Sequence, residues 1–131
     1  MTEMVAADRG VDERAAIEAC VDDYFGGWFA ADAERMRRAV HPELVKRGYL
    51  ATAGSGPGLD RNTSDSMVEF TAMGGGSRRP SREQAFTVDI VDVYEDIASV
   101  TVTSPVYHEY LQLVRTPTGW QIVHSLWRPT R

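Results

Sequence analysis

Residues Gly119–Trp127 read GWQIVHSLW. Strict alternation along an extended chain puts Trp120, Ile122, His124 and Leu126 on one side and Gln121, Val123, Ser125 and Trp127 on the other. An antiparallel strand commonly packs one face on the core and leaves the other to water. Here each side carries a tryptophan, so each is expected to meet something other than water.

Upstream of this stretch the chain alternates in the same manner. FTVDIVDVY (86–94) runs into a turn at Glu95 and Asp96, and IASVTVTSPVYHEYLQLVR (97–115) returns, broken at Pro105 by an expected bulge. TPTG (116–119) makes the next turn. The last third is therefore a meander of long antiparallel strands.

The first half repeats with helical spacing instead. Ile17, Val21, Tyr24 and Trp28 recur every four residues, and Cys20, Phe25 and Phe29 widen the stripe. Asp12 is the expected N-cap of this helix, with Glu13 in its first turn. Residues 1–11 read as a flexible tail, and 12–131 as a single domain. Gly26 and Gly27 inside the helix admit either close packing or room for a ligand beside Trp28. Asp32 caps a second helix with Ala33, Met36 and Val40 inward, which Pro42 stops. Residues 44–53 read as a short strand, and SGPGLDRN (55–62) as a loop. Ser64 caps a third helix with Met67, Val68, Phe70 and Thr71 as its apolar side. GGGSRRPSR (74–82) reads as a mobile loop, or as a phosphate site through Arg78, Arg79 and Arg82. Helices followed by antiparallel strands make an α+β fold: about three N-terminal helices cover one face of a strongly curved antiparallel sheet.

Composition limits the function. A length of 131 residues suits one domain, and a net charge of -5 argues against tracking nucleic-acid phosphates. Cys20 stands alone, which excludes an internal disulfide, and its helical setting suits a small buried hydrophobe. The acidic start lacks the apolar core of a signal peptide, and no run approaches a membrane span of about 18 residues. The expected location is cytoplasmic, with no membrane partner. The three histidines lack metal-ligand spacing, so neither metal nor cofactor is expected. His41, before Pro42, suits the C-terminal carbonyls of the second helix.

Four segments together carry a family resemblance: YFGGWFAADAERMRRAVHPEL (24–44), DVYEDIASVTV (92–102), YLQLVR (110–115) and GWQIVHSLW. In these the chain resembles the nuclear transport factor 2-like superfamily, the cone-shaped fold of ketosteroid isomerases and SnoaL-like cyclases. Within it, the chain is most similar to the subgroup labelled "putative lumazine-binding" proteins. The resemblance spans residues 12–130 and implies a fold more than an activity; no riboflavin chemistry is carried over from the label. It implies that Trp127, Val123 and Ser125 line a pocket wall. Trp120, Ile122, His124 and Leu126 then lie on the outer face, where related proteins pair as homodimers, with Trp120 and His124 at the interface.

The resemblance also suggests a chemistry. Tyr24 matches the position of a hydrogen-bonding tyrosine of the isomerases, and Tyr110 that of their protonated aspartate, so the two would form an oxyanion pair. His108 shares a strand face with Tyr110 and is the best-placed acid or base, since imidazole titrates near neutrality. The isomerases' catalytic aspartate, however, aligns with Gly48, where no carboxylate stands. Two readings follow. One is a non-catalytic binder of a small apolar or carbonyl-containing ligand, in a pocket lined by Tyr24, Trp28, Tyr110 and Trp127. The other is an isomerase, cyclase or dehydratase using His108, Tyr24 and Tyr110.

Overall fold

The computed structural model describes the backbone of residues 2–52 and 55–130 and the side chains of residues 13–51 and 56–130. In chain order the elements are α1 (Thr2–Ala30), α2 (Ala33–Ala39), β1 (Val40–Thr52), β2 (Ser55–Thr63) and α3 (Ser64–Ala72), then β3 (Thr87–Tyr94), β4 (Ile97–Thr103), β5 (Tyr107–Thr116) and β6 (Gly119–Pro129). The six strands form one sheet in the order β2-β1-β6-β5-β4-β3. Every neighbouring pair is antiparallel except β1 with β6. The expected α+β architecture, three helices on a curved and mostly antiparallel sheet, is the one observed.

The stripe on α1 becomes the core: Ile17, Cys20, Val21, Tyr24, Phe25 and Phe29 are all buried. The helix starts at Thr2, ahead of the expected cap at Asp12. Residues 2–12 contain no proline, so an established helix propagates through Gly10. At its other end Ala31 adopts a φ of 56°, and Asp32 N–H bonds to Gly27 O at 2.9 Å, closing the helix with a left-handed residue. Asp32 then caps α2 by accepting the Arg35 N–H at 3.2 Å. The Gly26–Gly27 pair serves this corner. A Cβ on Gly26 would lie 2.5 Å from an Arg35 nitrogen, and one on Gly27 would lie 3.1 Å from the Met36 N, so the packing reading explains both.

Several boundaries differ from expectation. Residues 55–62 form an edge strand, not a loop, with Leu59 opposite Tyr49 and Pro57 opposite Ala51; an edge is where a strand tolerates proline. Thr63, not Ser64, caps α3: its hydroxyl accepts the Ser66 N–H, and the Ser66 hydroxyl accepts the Thr63 N–H. Phe70 is exposed, while Met67, Val68 and Thr71 are buried. Val40 begins β1, so Pro42 lies within a strand and stops no helix. Pro105 sits in a tight turn, where Ser104 Oγ accepts the N–H groups of Val106 and Tyr107. The glycine-rich loop is tied to α1, Gly76 N–H donating to Trp28 O at 2.9 Å.

The last strand holds the main correction. Leu113 pairs with Ile122 and Gln112 with His124, leaving Val123 as an extra residue. This bulge shifts the alternation by one. Trp120 and Ile122 before it, and Ser125 and Trp127 after it, turn toward the helices, while His124 and Leu126 face outward. Trp120 is therefore in the core rather than on the outer face, and Val123 is not on the pocket wall. On β1 the pairing breaks at the same level, between Val40 and Val45, and on β3 between Ile90 and Asp92. Such bulges bend a sheet, and here the sheet wraps around the helices.

Candidate functional site

Strand β5 sets the polar centre. Leu111 and Leu113 are buried, so the odd-numbered side chains face the helices and Glu109 goes in with them. Glu109 is only 2% exposed. A carboxylate so placed is tolerated only with close partners, and three converge on its Oε2. Tyr24 Oη donates at 2.5 Å, Ser125 Oγ donates at 2.6 Å, and Lys46 Nζ lies at 3.2 Å. Lys46 also donates to Tyr24 Oη. Each partner comes from a different element: Tyr24 from α1, Lys46 from β1, Ser125 from β6. The Val123 bulge is what turns Ser125 inward to complete the set. Burial first, and then the charge and hydrogen bond of Glu109, hold the Tyr24 hydroxyl well above its usual range. Tyr24 is a neutral phenol whose proton is committed to Glu109.

Beside this cluster lies a hollow of about 110 Å³, walled by Phe25, Trp28, Met36, Met67, Tyr107 and Trp127, with Lys46 and Glu109 as its charged members. Tyr107 receives a hydrogen bond from Trp28 Nε1 at 3.2 Å and meets Trp127 edge to face at 5.5 Å. The Lys46 ammonium sits 4.9 Å from the ring centre of Tyr24 and 5.5 Å from that of Trp127, a cation–π arrangement. Trp127 lies against Gly48, where a Cβ would fall 2.7 Å from the indole. Gly48 therefore makes room for the Trp127 indole. Trp127 Nε1 is buried without a hydrogen-bond partner.

The expected site residues divide. Tyr24, Trp28 and Trp127 line the hollow, and Ser125 stands behind it on Glu109. His108 and Tyr110 do not join them. They stack edge to face at 5.2 Å on the opposite side of β5, with Tyr49, Leu59 and Leu126 as neighbours in a shallow outer groove. The expectation inverted the face of β5 by one residue. His124, on the outer face, bonds to Gln112 Oε1 at 2.9 Å. His41 accepts the Glu43 N–H at 3.0 Å instead of capping α2. Cys20 donates to Ala39 O, and burial, reinforced by the charge of Asp23, pushes its thiol up to about 12.

Lys46 and Glu109 were missed. For Glu109 the signal was available: Leu111 and Leu113 mark the inward parity of β5. For Lys46 it was subtler, since Leu44, Lys46 and Gly48 alternate with Val45, Arg47 and Tyr49. Among the described residues no group of three or more His, Cys, Asp or Glu could hold a metal ion, and no helix is long and apolar enough to cross a membrane.

Comparison with known proteins agrees with this geometry at the level of fold. A nuclear transport factor 2-like protein of unknown function from Silicibacter pomeroyi is 18% identical with a TM-score of 0.71, over 92% of this chain and 98% of that one. A ketosteroid isomerase-like protein from Erwinia carotovora is 19% identical with a TM-score of 0.59, over 89% and 95%. A nuclear transport factor 2-like protein with a cystatin-like fold from Novosphingobium aromaticivorans is 16% identical with a TM-score of 0.65, over 99% and 90%. No curated protein matches the sequence. The fold is that of nuclear transport factor 2-like proteins, residues 12–128 match the model of the family described as "Putative lumazine-binding", and the chain belongs to that family.

Proposed function

We propose that this protein binds a small, neutral, ring-containing molecule in the hollow between α1, α3 and the sheet. The observation that carries the reading is an aromatic and thioether wall broken by few polar groups, Asn62 and the charge-neutral Lys46–Glu109 pair. Apolar walls with a few placed polar groups are the usual make-up of a small-molecule site. A charged ligand would find no uncompensated counter-charge there, because Lys46 and Glu109 already answer each other. Size points the same way. A cavity of about 150 Å³ takes up benzene, so about 110 Å³ with an open mouth suits one ring and not a fused polycycle. The isomerase reading through His108 loses its support, because His108 and Tyr110 lie across the sheet from Tyr24.

A panel of single-ring compounds such as benzyl alcohol, screened by thermal melting, tests this reading. Saturable stabilisation is expected, and Met67→Trp, which fills the hollow, should abolish it. Stabilisation that survives the filling, or none from any compound, would contradict the reading.

We also infer a homodimer through the outer sheet face. The support is a patch of half-exposed or exposed side chains, Tyr49, Leu59, Tyr110 and Leu126, adjacent across β2, β1, β6 and β5. Patches of this kind on a soluble chain mark interaction sites. Sedimentation should give a dimer that Tyr110→Glu dissociates; a monomer at micromolar concentration would overturn the inference.

A further inference from the structure

We propose that Lys46 forms a reversible imine with a small aldehyde or ketone held in the hollow. The inference rests on the binding reading above and adds a covalent step to it. The chain contains thirteen arginines and one lysine. That lysine is 8% exposed and reaches the cavity wall. As a partner for a buried carboxylate, arginine offers a bidentate fork and is the usual choice. It cannot give up its proton, however, and lysine can. Among the described residues, the one cationic side chain lining the hollow is thus the one Lys or Arg side chain able to become a nucleophile.

The neighbours supply the remaining requirements. Glu109 Oε2, 3.2 Å away, takes a proton from the Lys46 ammonium. The freed amine pair forms a C–N bond to the carbonyl carbon, while the C=O π pair moves to oxygen. A proton shifts from nitrogen to that oxygen, giving a carbinolamine. Glu109 returns its proton to the hydroxyl, the C–O bond breaks and water leaves, and the nitrogen lone pair closes the C=N bond. The sum is ammonium plus carbonyl to iminium plus water, with the Glu109 carboxylate regenerated. Tyr24 is a positioning residue, bonded to both groups that exchange the proton. The Tyr24 and Trp127 rings beside Nζ give a flat carbonyl compound an aromatic wall at the amine.

Reductive trapping tests the step directly, because the chain has only one other primary amine, its α-amino group. The full chain is treated with benzaldehyde and cyanoborohydride, which adds hydride to an iminium and fixes it as a secondary amine. The label is then located by peptide mass spectrometry. Lys46 should be labelled at least about tenfold faster in the folded chain than in urea, where proximity is lost. Lys46→Arg should abolish that label and leave only the α-amino group labelled. Labelling confined to the α-amino group, with benzyl alcohol still stabilising, would overturn the imine and leave the binding reading intact. No label and no stabilisation by either compound would overturn both.

Discussion

Trp120 and Trp127 lie on the same, helix-covered side of β6, although an odd number of positions separates them. The bulge at Val123 reconciles the two, and it answers why one strand should need a tryptophan at both parities. Deleting Val123 leaves Trp120 and Trp127 an even number of positions apart, so strict alternation alone then keeps both rings on the helix-covered side. The deletion should therefore cost less than the roughly 3–5 kcal/mol of losing a large buried aromatic. Val123→Ala, at a half-buried position, should lose under about 1.5 kcal/mol. Urea denaturation measures both, and a loss of about 3–5 kcal/mol on deletion would argue against the bulge.

The Lys46–Glu109 pair makes a second prediction. Glu109→Leu leaves an ammonium buried without its counter-charge and should destabilise by about 3–5 kcal/mol. Lys46→Met combined with Glu109→Leu should recover most of that loss, since an apolar pair of similar volume replaces the ionic one. A double-mutant cycle in urea measures the coupling. Additive losses would show that the two side chains do not interact.

Gly48 should not accept a side chain. Gly48→Ala places a methyl group 2.7 Å from the Trp127 indole and displaces the ring. Overpacking of this kind costs about 1–3 kcal/mol, and the displaced indole should change the tryptophan emission. Gly48→Asp, which adds a larger and charged group at the same place, should be worse. Wild-type stability in Gly48→Ala would mean that Trp127 lies elsewhere.

The phenol of Tyr24 gives an alkaline signature. Its folded-state value is raised well above the ordinary 10, so the folded chain holds the proton more tightly than the unfolded chain. That contribution is fully present below pH 10 and is lost as pH rises from there toward the folded-state value. Stability should therefore fall with pH above about 10, and Tyr24→Phe should flatten the slope. An identical slope in Tyr24→Phe would assign the alkaline loss to other groups.

Much of this was legible in the sequence because helix and strand periods are local. Ile17, Val21 and Tyr24 declared the buried face of α1, and Asp32 declared the start of α2. What resisted reading depends on partners distant along the chain. Val123 bulges because of how Gln112 and Leu113 register against it, and nothing within GWQIVHSLW announces this. Lys46 next to Arg47 looks like a solvated pair until Glu109, 63 residues on, is brought against it. The GPG composition of β2 reads as a turn, and only the free pairing edge of β1 makes it a strand. His108 drew the chemistry because histidine is the commonest general acid or base, although the inward leucines two and four positions past Glu109 already pointed to the carboxylate.

The central claim is that the hollow beside Lys46 and Glu109 receives a single-ring ligand, and the three tryptophans report on it independently. Trp28 and Trp127 line the hollow, whereas Trp120 is packed in the core away from it. Titration of benzyl alcohol into nitrogen-15-labelled protein, followed through the three indole N–H resonances, is the most direct test. The account predicts saturable shifts of the Trp28 and Trp127 resonances with Trp120 left in place. Shifts confined to Trp120, or no saturable shift at all, would contradict it.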